Sequence, residues 1–199
     1  MKLRLPVLGA LFLLGAAASL LGDHFHVSTL TTAYLDRAHD VPFLWDSPIW
    51  FPVLVGAGTA GLADLRLRLG APRTSVEPRY AVGGIAAVLG SYAFTTALGG
   101  FPDAVSVTLI AAPAVLVWCF IGDRFAVVCG VLAAVVGPAI EIALVKADVF
   151  KYSPDSDSLF GVGPWLPPLY FGFGVVASVL GELAVRRPPA ATQGQPART

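Results

Sequence analysis

FAVVCGVLAAVVGPAIEIALV, residues 125–145, runs for 21 residues with one charge, Glu141. As an α-helix it would rise about 32 Å, close to the roughly 30 Å hydrocarbon thickness of a bilayer. Apolar residues fall on every side of that helix, so it has no polar face to turn toward water. Asp123-Arg124 precede the run and Lys146 ends it. A transmembrane helix is the reading. A barrel strand would be about half as long and would alternate apolar with polar residues.

Five further runs repeat this pattern, at residues 5–22, 47–63, 80–98, 104–122 and 164–185. The last carries Glu182 near its end. Composition agrees. Of 199 residues, 56% are hydrophobic and 13% charged, against roughly 45–50% and 25% in a soluble domain. The predicted fold class is all-α, an integral membrane bundle of six transmembrane helices forming a single domain over residues 1–187. The tail at 188–199, rich in Pro, Ala, Thr and Gln, is expected to be disordered and cytoplasmic.

Charge placement tests the count. With the N-terminus in the cytoplasm, the inner segments hold Lys2, Arg4, Arg66, Arg68, Arg73, Arg79, Arg124, Arg186, Arg187 and Arg198. The outer loops hold only Arg37, Lys146 and Lys151. Ten against three obeys the positive-inside rule and puts both termini in the cytoplasm. Lys2, Arg4, an apolar run and Ala16-Ala17-Ala18 also fit a cleavable signal peptide, and the charge rule is satisfied either way. Trp45, Trp50 and Trp165 fall near the outer interface, and Pro42-Phe43-Leu44-Trp45 reads as an interfacial segment.

Several chemistries are excluded. Lys+Arg and Asp+Glu tie at 13 each, and nucleic-acid binding needs a basic surplus. His24, His26 and His39 share one outer loop with Asp23, read as solvated, with no second ligand cluster at zinc spacing. No metal or other cofactor is expected. Cys119 and Cys129 form no C-x-x-C pair and read as small apolar residues. A glycine-flanked serine nucleophile and a phosphate loop are both missing, so the chain is read as not an enzyme.

What remains is binding. Glu141 is the one acid well inside a span, and an intramembrane acid is a functional candidate by default. Pro138, three residues earlier, frees the carbonyl of Ala134, and Pro113 frees that of Leu109. Small residues at Gly56/Ala60 and Ala177/Gly181 have the spacing of close helix packing. Ser91 and Thr95 share a face of helix three, and Ser106 and Thr108 open helix four. These hydroxyls, with Glu141 and with Trp118 as a packing wall, are the candidate ligand-binding residues. The expected ligand is a neutral membrane lipid, sterol-like or diacylglycerol-like, in an intramembrane cavity lined by helices two to five. A phospholipid would ask for a basic pocket. The alternative is a small proton-coupled transporter using Glu141.

The sequence also resembles the Insig (insulin-induced gene) family. The resemblance rests on Val149-Phe150-Lys151-Tyr152-Ser153-Pro154-Asp155 followed by Trp165-Leu166-Pro167, on the stretch from Phe101 through Trp118-Cys119-Phe120 to Asp123-Arg124, and on Ile49-Trp50-Phe51-Pro52. It covers helices two to six. The Trp118-to-Asp123 spacing is one residue longer than the family's, and Ser106 stands where the family has an amide. The resemblance implies six helices with cytoplasmic ends and a regulatory, non-enzymatic role. Eukaryotic members lie in the endoplasmic reticulum, bind oxysterols and hold sterol-sensing partners. By the same resemblance Asp123, with Arg124, is the partner-binding position, whereas the residues alone read Asp123 as a helix cap. A membrane-protein partner or a homo-oligomer is compatible with both. Ten Arg to three Lys points to a GC-rich bacterial source, hence a bacterial inner membrane; a eukaryotic source would place the chain in the endoplasmic reticulum.

Overall fold

The computed structural model describes residues 2–73 and 75–186, with Arg37 by its backbone alone. The expected disordered tail at 188–199 lies outside the described residues. Six helices follow in order: α1 Leu5–Ser28, α2 Trp50–Leu69, α3 Pro78–Thr95, α4 Asp103–Ile121, α5 Arg124–Lys146 and α6 Leu166–Ala184. Four of them, α1, α4, α5 and α6, are long and apolar enough to cross a membrane. α2 carries Asp64, Arg66 and Arg68 in its last two turns, and α3 begins at Pro78-Arg79. The helix ends divide into a base, with residues 2–4, 70–73 and 75–77 and the α4–α5 turn, and a crown, with the three remaining loops.

Packing follows the small residues. α6 sits at the centre, against α2, α3, α4 and α5, while α1 packs along α2. A Cβ at Gly181 would lie 2.4 Å from the Ala63 carbonyl oxygen, and one at Gly174 would lie 2.5 Å from that of Cys129. The backbones of α2 and α5 therefore touch α6 directly, as glycine allows when lipid supplies no hydrophobic drive between helices. Pro113 and Pro138 both sit inside continuous helices.

The crown departs from the expected all-α bundle. Strand β1 (Thr32–Tyr34) pairs antiparallel with β4 (Phe150–Tyr152), and β2 (Phe43–Leu44) pairs with β3 (Ser47–Pro48). The segment at 42–45 thus enters a hairpin whose turn holds Trp45 at φ +58. α1 also continues beyond residue 22 to Ser28, because Asp23 and His26 have partners inside the protein. α2 begins at Trp50 and runs to Leu69 rather than Ala63 for the same kind of reason: Arg66 is fully buried and paired. The other predicted spans shift by one to three residues at their ends.

Candidate functional site

Between the α1–α2 and α5–α6 pairs lies a cavity of about 410 Å³. α1, α2, α3, α5 and α6 form its walls, and β1 and β4 roof it at the crown. Among the described residues none of α4 lines it while α1 and α6 do, which corrects the expectation of a cavity lined by helices two to five. Toward the base α2, α5 and α6 converge on a cluster of Leu62, Cys129, Ala133 and Ala177, of which Leu62 and Ala133 also line the cavity. Gly61 lines the cavity and has nothing within 4 Å of an added Cβ.

The polar groups of this cavity gather under the roof. Glu141, 9% exposed, accepts from the Tyr152 hydroxyl at 2.5 Å and from the Tyr170 hydroxyl at 2.6 Å, one on each carboxylate oxygen. Asp23, 4% exposed, accepts from the Tyr34 hydroxyl at 2.8 Å and from Ser47 Oγ. Both carboxylates line the cavity. Burial first, and then the adjacent carboxylate, push the Tyr152 and Tyr34 phenols above their ordinary values, so both stay protonated donors. Thr32, also in the roof, has a buried hydroxyl with no partner.

The sequence-predicted ligand residues do not assemble as a group. Only Glu141 lines this cavity. Thr95 Oγ1 donates to the Tyr92 carbonyl at 2.6 Å and lies 2.8 Å from His26 Nε2. Its one proton is thereby used, which leaves the donor role to His26 Nε2. Ser91 borders a crevice of about 10 Å³ between α3, α4 and α6. Ser106 is buried on α4. Thr108 returns its bond to the Ala104 carbonyl of its own helix, 2.6 Å away. Trp118 sits at the base, with Nε1 3.3 Å from the Asp123 carbonyl.

The histidine-rich stretch is not one solvated loop. His26 is buried at 1% exposure. His24 Nδ1 lies 2.6 Å from Asp46 Oδ2, and its ring stacks on Trp45 with centroids 4.0 Å apart. Only His39 keeps an exposed position. Among the described residues no three His, Cys, Asp or Glu side chains gather in a way that could hold a metal.

A second polar centre lies at the base. Arg66, 0% exposed, reaches Glu182 Oε1 at 2.6 Å and Asp123 Oδ2 at 2.7 Å, and its guanidinium lies 5.1 Å from the centre of the Phe125 ring. Arg73 reaches Glu182 Oε2 at 2.5 Å and donates to the Ile121 and Gly122 carbonyls. The Glu182 carboxylate holds the Arg73 guanidinium above the usual arginine range. Two cations and two anions thus join α2, the α2–α3 loop, the α4–α5 turn and α6. Asp123 does two jobs: its Oδ1 accepts from the Phe125 and Ala126 amides at 3.0 and 2.8 Å, capping α5, while Oδ2 takes Arg66. Arg124 is exposed beside it.

No family model matches the chain. A curated relative described as an INSIG protein homolog, from Mycolicibacterium vanbaalenii, is 57% identical over 189 residues, 95% of this chain and 92% of the relative. The crystal structure of a mycobacterial Insig homolog from Mycobacterium vanbaalenii superposes with a TM-score of 0.91 at 57% identity, covering 95% of this chain and all of the other. The same mycobacterial protein captured as a cross-linked trimer matches equally well, with a TM-score of 0.91.

Proposed function

The chain belongs to the Insig family, and from that premise we propose that it is a non-enzymatic membrane protein holding a neutral lipid in its cavity. The observation that carries this is the separation of polarity along the cavity. The walls are apolar, while the roof end offers Asp23 and Glu141 as acceptors. A ligand with a long apolar body and one hydroxyl, sterol-like or diacylglycerol-like, matches both halves. The hydroxyl would donate to a carboxylate, and the body would fill the space beside Gly58 and Gly61. No basic side chain lines the cavity among the described residues, which disfavours a phosphate headgroup.

Entry from the bilayer fits the gap between α2 and α5. Leu54 on α2 and Val136 on α5 line the cavity and yet are 45% and 44% exposed. In this reading all six helices span the membrane, the base faces the cytoplasm with both termini, and the host membrane is a bacterial inner membrane. The cross-linked trimer of the mycobacterial relative supports a homo-oligomer for this chain as well. The exposed Arg124, beside Asp123, is the base position open to another membrane protein.

Native mass spectrometry of the purified protein tests the proposal. A co-purified neutral lipid is expected, and Gly61→Phe should displace it, since that side chain would project into open space. A protein with no co-purified neutral lipid and no saturable sterol or glycerolipid binding would sink the reading. Proton-coupled flux in liposomes that is lost in Glu141→Gln would favour transport instead.

A further inference from the structure

The cavity has a charge balance that a neutral ligand leaves unused. Asp23 and Glu141 both face it, and its described lining holds no Lys, Arg or His. Neither acid takes part in any ion pair found among the described residues; those pairs involve His24, Arg66, Arg68, Arg73 and Arg79. His24, next to Asp23 in sequence, pairs instead with Asp46, and His26 points to Thr95 and the Tyr92 carbonyl on α3. Among the described residues the hydrogen-bond partners of both acids are hydroxyls.

Both Glu141 oxygens accept phenol protons, at 2.5 and 2.6 Å, and Asp23 accepts from the Tyr34 and Ser47 hydroxyls; such bonds favour a carboxylate's charged form. A carboxylate buried without a counter-charge is costly and draws either a proton or a cation. Aromatic rings surround the two acids in the same cavity: Tyr34, Trp50, Tyr92, Phe150, Tyr152 and Tyr170. Ring faces attract an organic cation, and more strongly where water is excluded. A zwitterionic phospholipid would bring a phosphate for which the lining offers no base.

We propose that the cavity also takes a lipophilic amine, a long-chain monocation without phosphate, with its ammonium between Asp23 and Glu141 and its chain along the apolar walls. This rests on the reading of the cavity as a lipid site. The ammonium would complete the two carboxylates' hydrogen-bonding, and the cost of their burial would be offset by the attraction to it. An alcohol of the same length gives up that attraction and keeps only the apolar contacts and one hydrogen bond.

Octadecylamine and octadecanol differ only in the headgroup, so they isolate the charge. Each is titrated into the full chain in a nonionic detergent at pH 7, and bound adducts are counted by native mass spectrometry. Octadecylamine is expected to bind at least tenfold more tightly. Asp23→Asn or Glu141→Gln should each cut that ratio at least threefold, and Gly61→Phe should abolish binding of both ligands. Octadecanol binding as tightly as the amine would overturn the proposal while leaving the neutral-lipid reading standing. A preference for the amine that survives both acid substitutions would also overturn it. If neither compound binds and no neutral lipid co-purifies, the lipid site itself is refuted along with the amine.

Discussion

Replacing Arg66 by Met removes the one fully buried cation of the base cluster. Met fills the space of the aliphatic stem and can still pack on Phe125, so the change reads chiefly as charge. It deletes contacts of 2.6 Å to Glu182 and 2.7 Å to Asp123 and leaves two carboxylates facing one guanidinium. Breaking a buried pair costs about 3–5 kcal/mol, because the abandoned charge stays desolvated. Here Arg73 still holds Glu182 at 2.5 Å and stands 3.9 Å from Asp123, so the lower end applies, about 3 kcal/mol. A chain of this length loses about 2–4 °C per kcal/mol, which gives a fall in Tm of about 6–12 °C. Thermal unfolding in detergent, followed by tryptophan fluorescence, reads it. The informative control is Arg66→Met/Glu182→Met, which restores one cation to one anion and should recover at least half of the loss. A double variant no more stable than the single one would refute the account, since the loss would then come from packing rather than from an unpaired charge.

Two further outcomes follow from the same geometry. Asp123→Asn keeps an oxygen for the Phe125 and Ala126 amides but loses the charge facing Arg66, whereas Asp123→Ala loses both; the alanine variant should be about 1 kcal/mol less stable than the asparagine one, and equal melting temperatures would show that the cap contributes nothing. Gly181→Val should cost about 1–3 kcal/mol or more, because its Cβ would meet the Ala63 backbone at 2.4 Å, while Gly61→Ala, with nothing within 4 Å, should be neutral or stabilise α2 by up to about 1 kcal/mol; a thermal shift of the same sign for both would contradict the packing described.

The apolar runs were legible because nothing but a helix satisfies the backbone across so long a stretch without water. Glu141 was legible for a related reason: one charge inside such a run has no bland position to occupy. The rotation of each helix was not. α4 and α5 are apolar on all sides, so no stripe tells which face meets the cavity, and the hydroxyls of Ser91, Ser106 and Thr108 were assigned to a pocket that α4 does not border. Asp23 and His26 were missed because they follow the apolar run of helix one. Tyr34 and Ser47 on one side, and Thr95 and the Tyr92 carbonyl from α3 on the other, keep that helix going through them. Arg66 was read as a topological charge and Glu182 as a helix-end acid. Their pairing spans 116 residues of sequence, a distance over which local pattern carries no information.

The β1–β4 ribbon ties the α1–α2 loop to the α5–α6 loop at the crown, and the four-charge cluster ties α2 to α5 and α6 at the base. In the proposed reading, with both ends clasped, the space between would exchange its contents sideways, through the gap between α2 and α5. A ligand taking that route would already be dissolved in the bilayer and would never have to leave for water. Its occupancy would then be governed by its mole fraction in the leaflet, competing against ordinary lipid chains that are equally apolar. Such a cavity would fill when the leaflet's composition changes, however little of the compound is free in solution, and its affinity would belong on a scale of mole per cent rather than molarity.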